Sequence, residues 1–485
     1  MSLSVDKVLR QAQSHLKAGE LAEAEALYKQ LLSKCPKNKK AIQGYQKLKV
    51  GITSKGSLNS QPPQEKIHEI IDLYNRYQFE EALQKAEEMI RDFTSNIMLL
   101  NLIAAAHAGL KNLDQAIENF KKILEVNPHD AGAHYNIGNI YKEKEDHDSE
   151  IESYKKAVST QPNHFQSYNN MGNAFKAKGD LTAAIEGFRK ALNIKPDFAE
   201  AHYNLGVTLQ ETDDLNAAIK SYKKACGFKP DYIKAYLNMG NALKQKGNLD
   251  AAIDSYKQAI KIKPDYAEGH YSIGIVLREK GELNEAIDSY KRAIKFKPNY
   301  AEAYFNLGVL FQDRDNLDVS IENYKAAIKI KPNFIDAYFN MGNALRDKGE
   351  LDAAIDSYKQ AIKIKPDHAE AYNNMGIVLK DKGELDAAID SYKKAIKIKP
   401  DHAEAYNNMG SALKDKGELD AAIDSYKQAI KIKPDYEIAH AQKLHQQAHI
   451  CDWGAIAQDR EAIPTLGTLT QYVDPLGIFS LEDAP

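Results

Sequence analysis

Asparagine recurs in this 485-residue chain at a spacing suited to holding a peptide backbone. Asn136, Asn170, Asn204, Asn238, Asn306, Asn340, Asn374 and Asn408 lie at multiples of 34 residues from one another. Ser272 interrupts the series and Leu102 stands where an earlier member would fall. A second set, Asn139, Asn173, Asn241 and Asn343, follows three residues behind members of the first. Asparagine is a poor helix former, so its repetition inside helical segments calls for a reason. An amide both donates and accepts hydrogen bonds. A row of amides can therefore hold the main chain of an extended peptide without reading its side chains. Two other readings stand beside this one. The amides can bond neighbouring repeats or local backbone, or duplicated repeats can simply have inherited them.

Other reactive residue types form no pattern of comparable regularity. His445 and His449 are four apart on one helix, with His440 and Cys451 nearby, a spacing that zinc would accept. No further ligand accompanies them, so they read as incidental. The carboxylates of DKGELDAAID recur in many repeats as turn and helix-start residues, not as an acid–base pair. Neither a Ser-His-Asp nor a Cys-His arrangement can be assigned, and no phosphate-cradling glycine loop follows a strand. The expectation is no catalytic residue, no metal and no cofactor.

The asparagines belong to a 34-residue unit, plainest in AEAYNNMGIVLKDKGELDAAIDSYKKAIKIKPDH from Ala369 to His402. Ten prolines, from Pro128 to Pro434, mark its period. Such a period means a solenoid of stacked units, each unable to bury its apolar face alone. Counting positions from Ala369, Tyr372, Met375, Gly376 and Leu379 (positions 4, 7, 8 and 11) form one helical stripe. Gly383 at position 15 ends that helix. Leu385, Ala388, Tyr392 and Ala395 (17, 20, 24 and 27) form the stripe of a second helix, which Pro400 stops. The small residues at 8, 20 and 27 let the two helices approach, and tyrosines fill the remaining gaps. Positions 2, 6, 9 and 13 share the other face of the first helix. Position 2 is often acidic and position 12 often basic. Asp213 and Asp315 replace the helix-ending glycine. The unit 131–164 departs most, with Glu145 at the glycine position and Glu150 at the alanine position, which predicts a local soft spot.

Composition narrows the function. The formal net charge is −3 with 27% charged residues of both signs, which does not suit bulk nucleic-acid or membrane binding. Lysines on the second helices are interspersed with aspartates and lack aromatic neighbours for base stacking, so that face reads as solvated. Three scattered cysteines, no signal-peptide core and no membrane-length apolar run point to a soluble, cytoplasmic protein. The expected partners are extended peptide or protein segments, with no nucleic acid and no membrane. A homodimer is compatible with an array's outer or terminal surface.

The chain divides as follows: a divergent helical unit over 1–49, a Gly/Ser/Asn/Pro-rich flexible linker over 50–64, a second divergent repeat over 65–96, the regular array over 97–436, a capping helix over 437–450 and an aperiodic tail over 451–485.

An aromatic at 4, Leu or Met at 7, Gly at 8, Ala at 20, Tyr at 24, Ala at 27 and Pro at 32 resemble the tetratricopeptide repeat family. That resemblance implies an all-α superhelical solenoid of about twelve helical hairpins, with the first helices lining a concave groove. The asparagine series is similar to that of the protein O-linked N-acetylglucosamine transferases. The tail from Cys451-Asp452-Trp453 to DPLGIFSLEDAP resembles the junction into the catalytic region of their bacterial relatives and of Spindly-type proteins. The resemblance implies a substrate-recognition arm of such a transferase, and the chain is expected to lack the catalytic halves themselves. A stand-alone scaffold for complex assembly is the alternative.

Overall fold

The computed structural model describes residues 5–18, 20–35, 38–55, 61–452 and 454–456. Twenty-six helical elements follow one another, and the described residues contain no strand. They form twelve helical hairpins, with an extra helix, Lys39–Lys55, after the first hairpin and a last one, Glu437–His449, after the twelfth. Two compact units are distinguished, Met1–Pro230 and Asp231–Pro485.

The unit from Ala369 shows why the chain folds in this way. Its first helix spans Ala369–Asp381 and its second Leu385–Ile398. Gly383 between them takes φ +79°, a left-handed conformation that costs an L side chain about 1–2 kcal/mol. The Gly383 N–H then donates to the Lys380 carbonyl at 2.8 Å, and Glu384 N–H to the Leu379 carbonyl at 2.9 Å. These bonds satisfy carbonyls that the helix end would leave orphaned. Ala371, Met375, Gly376, Val378 and Leu379 of the first helix are buried against Ala388, Ile389, Tyr392 and Ala395 of the second. The decisive contact is Gly376 on Tyr392. A Cβ at Gly376 would stand 2.6 Å from the ring, so the glycine makes room for the aromatic. The same pairing recurs as Gly138–Tyr154, Gly172–Phe188, Gly206–Tyr222, Gly240–Tyr256, Gly274–Tyr290, Gly308–Tyr324, Gly342–Tyr358 and Gly410–Tyr426.

Hairpins stack within each unit because one hairpin leaves apolar surface uncovered. In the second unit a continuous core runs from Ile321 to Tyr426 through four hairpins. Exposed ion pairs add a regular cross-link. The lysine at position 14 meets the aspartate at position 18 of the preceding hairpin: Lys144–Asp114 at 2.6 Å, Lys280–Asp250 at 2.8 Å, Lys348–Asp318 at 2.6 Å, Lys382–Asp352 at 2.6 Å and Lys416–Asp386 at 2.7 Å.

Asp213 and Asp315 take the left-handed conformation of the glycines they replace, at φ +61° and +56°. Glu145 does the same at +57°, as do Lys111 at +62° and Tyr77 at +62°, which the sequence pattern did not single out. The helix after the first hairpin runs to Lys55, six residues into the stretch expected to be linker. Gly51 alone is a weak breaker, because one glycine costs a helix only about 1 kcal/mol. Residues 56–60 of that stretch lie outside the described residues, and so do Trp453 and residues 457–485 of the expected junction. No helix among the described residues is long and apolar enough to cross a membrane.

Candidate peptide-binding face

Curvature decides which face can receive a partner. In the second unit the first helices Ala301–Gln312, Ile335–Asp347, Ala369–Asp381, Ala403–Lys416 and Glu437–His449 each touch the next in line. In the first unit Phe165–Ala177 touches Ala199–Glu211 in the same way. Among the described residues, consecutive second helices make no comparable contact. Within each unit the first helices therefore occupy the inner side of the bend.

All twelve asparagines lie on these first helices, and all twelve are half-buried. Their bonds fall into two groups. At position 9 the side-chain oxygen accepts from the buried tyrosine of position 24: Tyr154 Oη donates to Asn139 at 2.8 Å, Tyr256 to Asn241 at 2.8 Å and Tyr358 to Asn343 at 2.7 Å. At position 6 the Nδ2 reaches back to the preceding hairpin. Asn374 donates to Asn343 Oδ1 at 2.9 Å, Asn408 to Asn373 Oδ1 at 3.0 Å, Asn204 to Asn169 Oδ1 at 3.1 Å and Asn306 to Tyr271 Oη at 3.0 Å. Asn170 Nδ2 lies at a point of convergence, with Asn139 Oδ1 at 3.2 Å, Tyr135 Oη at 3.3 Å and Tyr154 Oη at 3.4 Å.

The amides are thus braces between hairpins as well as a lining. They keep spare capacity nonetheless, since an NH2 carries two donors. Among the described residues no donor reaches Oδ1 of Asn204 or Asn408, and the side chains of Asn136 and Asn173 make no hydrogen bond. Asn340 and Asn238 also have partners, Tyr324 being the one for Asn340.

Charge on this face is mixed. Lys176 pairs with Glu211 at 2.9 Å, Lys380 approaches Asp415 at 3.7 Å and Arg278 approaches Asn306 Oδ1 at 3.5 Å. The position-2 carboxylates turn to the edge instead. Glu370 meets Lys399 at 3.4 Å, Glu302 meets Lys331 at 3.2 Å and Glu268 meets Lys297 at 3.1 Å. The backbone N–H at its own helix start, assisted by Lys399, holds Glu370 below the usual carboxylate range. An amide lining with balanced charge suits a polypeptide main chain better than a polyanion.

The histidines at position 4 are structural. His202 and His270 each bring Nε2 to a proline carbonyl six residues back, at 2.9 Å from Pro196 and 3.0 Å from Pro264. His445 and His449 meet edge to face with centroids 4.6 Å apart. Among the described residues no group of three metal-ligating side chains forms. The hydroxyl of the position-24 tyrosines is the feature that sequence reasoning missed. Its trace lay in the sequence as the alternation of Asn at 9, Gln at 12 and neither.

Comparison with known families follows the same period. Models described as "TPR repeat" match residues 172–213, 211–247, 240–277, 274–314, 313–345, 342–383 and 378–417. Models described as "Tetratricopeptide repeat" match 8–38, 99–130, 131–164, 153–186 and 403–436. No curated protein matches the chain. Among solved structures, "Crystal structure of MamA" is 30% identical, over 33% of this chain and 95% of that one, with a TM-score of 0.32. "Crystal structure of YrrB: a TPR protein with an unusual peptide-binding site" is 25% identical, over 39% and 96%, with a TM-score of 0.35. "Crystal structure of APC/C hetero-tetramer Cut9-Hcn1" is 15% identical, over 92% and 96%, with a TM-score of 0.38.

Proposed function

The chain belongs to the tetratricopeptide repeat family, and on that premise we propose that its inner face holds an extended polypeptide through the asparagine row. The array is a protein-interaction repeat module. Peptide binding is supported by the row itself: half-buried amides on the inner side of the bend, bonded to one another yet with unspent donors and acceptors. Crosslinking of candidate peptides tests it, comparing the native chain with a variant carrying Asn306→Ala, Asn340→Ala, Asn374→Ala and Asn408→Ala. Loss of the crosslinks is expected. Equal crosslinking would remove the ladder.

A more specific proposal is that this module is the substrate-recognition arm of an O-linked N-acetylglucosamine transferase-like protein. The asparagine series and the Cys451–Pro485 resemblance support it, although most of that tail lies outside the described residues. Acceptor peptides of such a transferase should compete for the crosslink. Failure to compete would dismiss the transferase reading and leave peptide binding standing.

The inter-hairpin bonds of Asn204, Asn374 and Asn408 favour a second reading, a stand-alone scaffold whose amides serve as braces. In that case the quadruple variant would lose thermal stability without losing a partner.

A further inference from the structure

The position-24 ring is needed for packing, but its hydroxyl is not. Phe188 sits on Gly172 as Tyr426 sits on Gly410, with no hydroxyl at all. Where tyrosine stands, the hydroxyl usually has an internal acceptor: Asn139, Asn241 or Asn343 at position 9, or Gln210 and Gln312 at position 12, at 3.0 Å from Tyr222 and 2.8 Å from Tyr324. Tyr290, Tyr392 and Tyr426 differ, for their hydroxyls are buried without a partner. Position 9 there is Ile275, Ile377 or Ser411, and position 12 is a cation that can only donate.

In the hairpin 403–436 a second atom is left over. Asn407 at position 5 is 8% exposed, and its Oδ1 is buried without a partner as well. The hairpin 131–164 shows what belongs at this place. There the groups at positions 5, 9 and 24, Tyr135, Asn139 and Tyr154, converge on one amide nitrogen, Asn170 Nδ2, supplied by position 6 of the following helix. The residue at that following position after 403–436 is Gln442, half-buried on Glu437–His449, and its side chain makes no hydrogen bond among the described residues. An unspent O–H donor and an unspent carbonyl acceptor therefore stand at positions 24 and 5, the two positions whose groups meet the following helix's amide in 131–164. A buried donor or acceptor left unpaired is costly, and a fitting guest recovers that cost.

We propose that Tyr426 and Asn407 form an amide-binding socket at the end of the inner face, closed by Gln442 and filled by an amide group of the bound polypeptide. The Tyr426 hydroxyl donates to the guest's carbonyl oxygen, and Asn407 Oδ1 accepts from its N–H. Gln442 swings aside on entry. The guest is either a side-chain carboxamide or a main-chain amide, and the socket rests on the peptide-groove reading for the chain that carries it.

Fluorescence anisotropy on the full chain tests this with two short labelled peptides, one of alternating glutamine and alanine and one of alternating serine and alanine. Tyr426→Phe and Asn407→Ala should each weaken binding about tenfold, the size of one good hydrogen bond. Gln442→Asn, which supplies the shorter amide that Asn170 supplies in 131–164, should close the socket and weaken binding likewise. Weakening confined to the glutamine peptide identifies a side-chain carboxamide, and equal weakening of both identifies the main chain. The socket is overturned if neither peptide binds, or if Tyr426→Phe and Asn407→Ala leave both affinities unchanged. A variant with Asn306, Asn340 and Asn374 changed to alanine separates the two readings. Weakening by that variant alone sinks the socket and keeps the ladder. Weakening by Tyr426→Phe alone does the reverse. Tyr426→Phe should keep or raise thermal stability, since it removes only an unpaired hydroxyl, so lost affinity cannot be ascribed to misfolding.

Discussion

The hairpins 131–164 and 369–402 share one backbone and disagree in chemistry. Their helices, Ala131–Glu143 with His147–Thr160 and Ala369–Asp381 with Leu385–Ile398, begin and end at matching positions. Yet Glu145 stands where Gly383 stands, and Glu150 where Ala388 does. Glu145 is driven to φ +57°, and Glu150 is 1% exposed, its carboxylate having among the described residues only the His147 Nδ1, at 2.9 Å, for a hydrogen-bond partner. The aromatic-on-glycine contact is the same in both, at 2.6 Å from the virtual Cβ to the ring. The contrast teaches that this contact and its neighbours hold the hairpin shape, while the turn and the alanine position tolerate strain and buried charge at a cost in stability.

The shared aromatic-on-glycine contact carries the largest expected effect. Gly138→Ala and Gly376→Ala should each destabilise their hairpins by about 1–3 kcal/mol through overpacking on a buried ring, measured by local hydrogen exchange. A cost at one site and none at the other would show that the two hairpins are not held by the same contact. Next in size, Glu150→Ala should stabilise 131–164 by about 1–2 kcal/mol, because it removes a buried carboxylate with one partly exposed partner. Hydrogen exchange at 141–150 faster than at 379–388 is expected in the native chain and should converge with it in the variant.

Acid sharpens the same point. Burial pushes the Glu150 carboxyl above its ordinary value, with His147 opposing the shift. A raised folded-state value means the contribution to stability is fully present below the ordinary carboxylate range. It is lost as pH rises through the raised value. Glu150→Gln should therefore gain on the native chain from acidic to neutral pH, and parallel pH profiles would contradict the buried charge. Glu145→Gly should add about 1 kcal/mol by relieving the left-handed side chain, visible as a raised midpoint of thermal unfolding. The smallest effect belongs to the exposed cross-links. Lys382→Ala should lower the midpoint slightly at low salt and not at high salt, as expected of surface pairs.

Most of the fold was legible because its signal repeats. Gly383 and Pro400 announce helix ends, and the apolar stripes of Ala369–His402 announce a hairpin, each many times over. The last six residues of the Lys39–Lys55 helix escaped because the turn-forming residues there are individually weak and tertiary context decides among them. The candidate face was half legible. Its residues were recognisable from period alone, but partners 31 and 35 residues away, such as Asn343 for Asn374 and Asn373 for Asn408, depend on how hairpins stack. The buried hydroxyls were harder still. A tyrosine advertises its ring through the hydrophobic period, whereas the fate of its oxygen turns on whether Asn343 or Ile377 happens to face it.

The units Ala369–His402 and Ala403–Tyr436 are nearly the same string. Because each hairpin meets its neighbour through the same residues, one copy can be gained or lost by unequal exchange between matching stretches of gene without creating an unfamiliar interface. Packed helices lie about 8–10 Å apart and an extended chain advances about 3.3 Å per residue, so each copy adds room for roughly three residues of guest. The array is in that sense a ruler with heritable divisions, whose length selection can change one tick at a time while the fold stays the same.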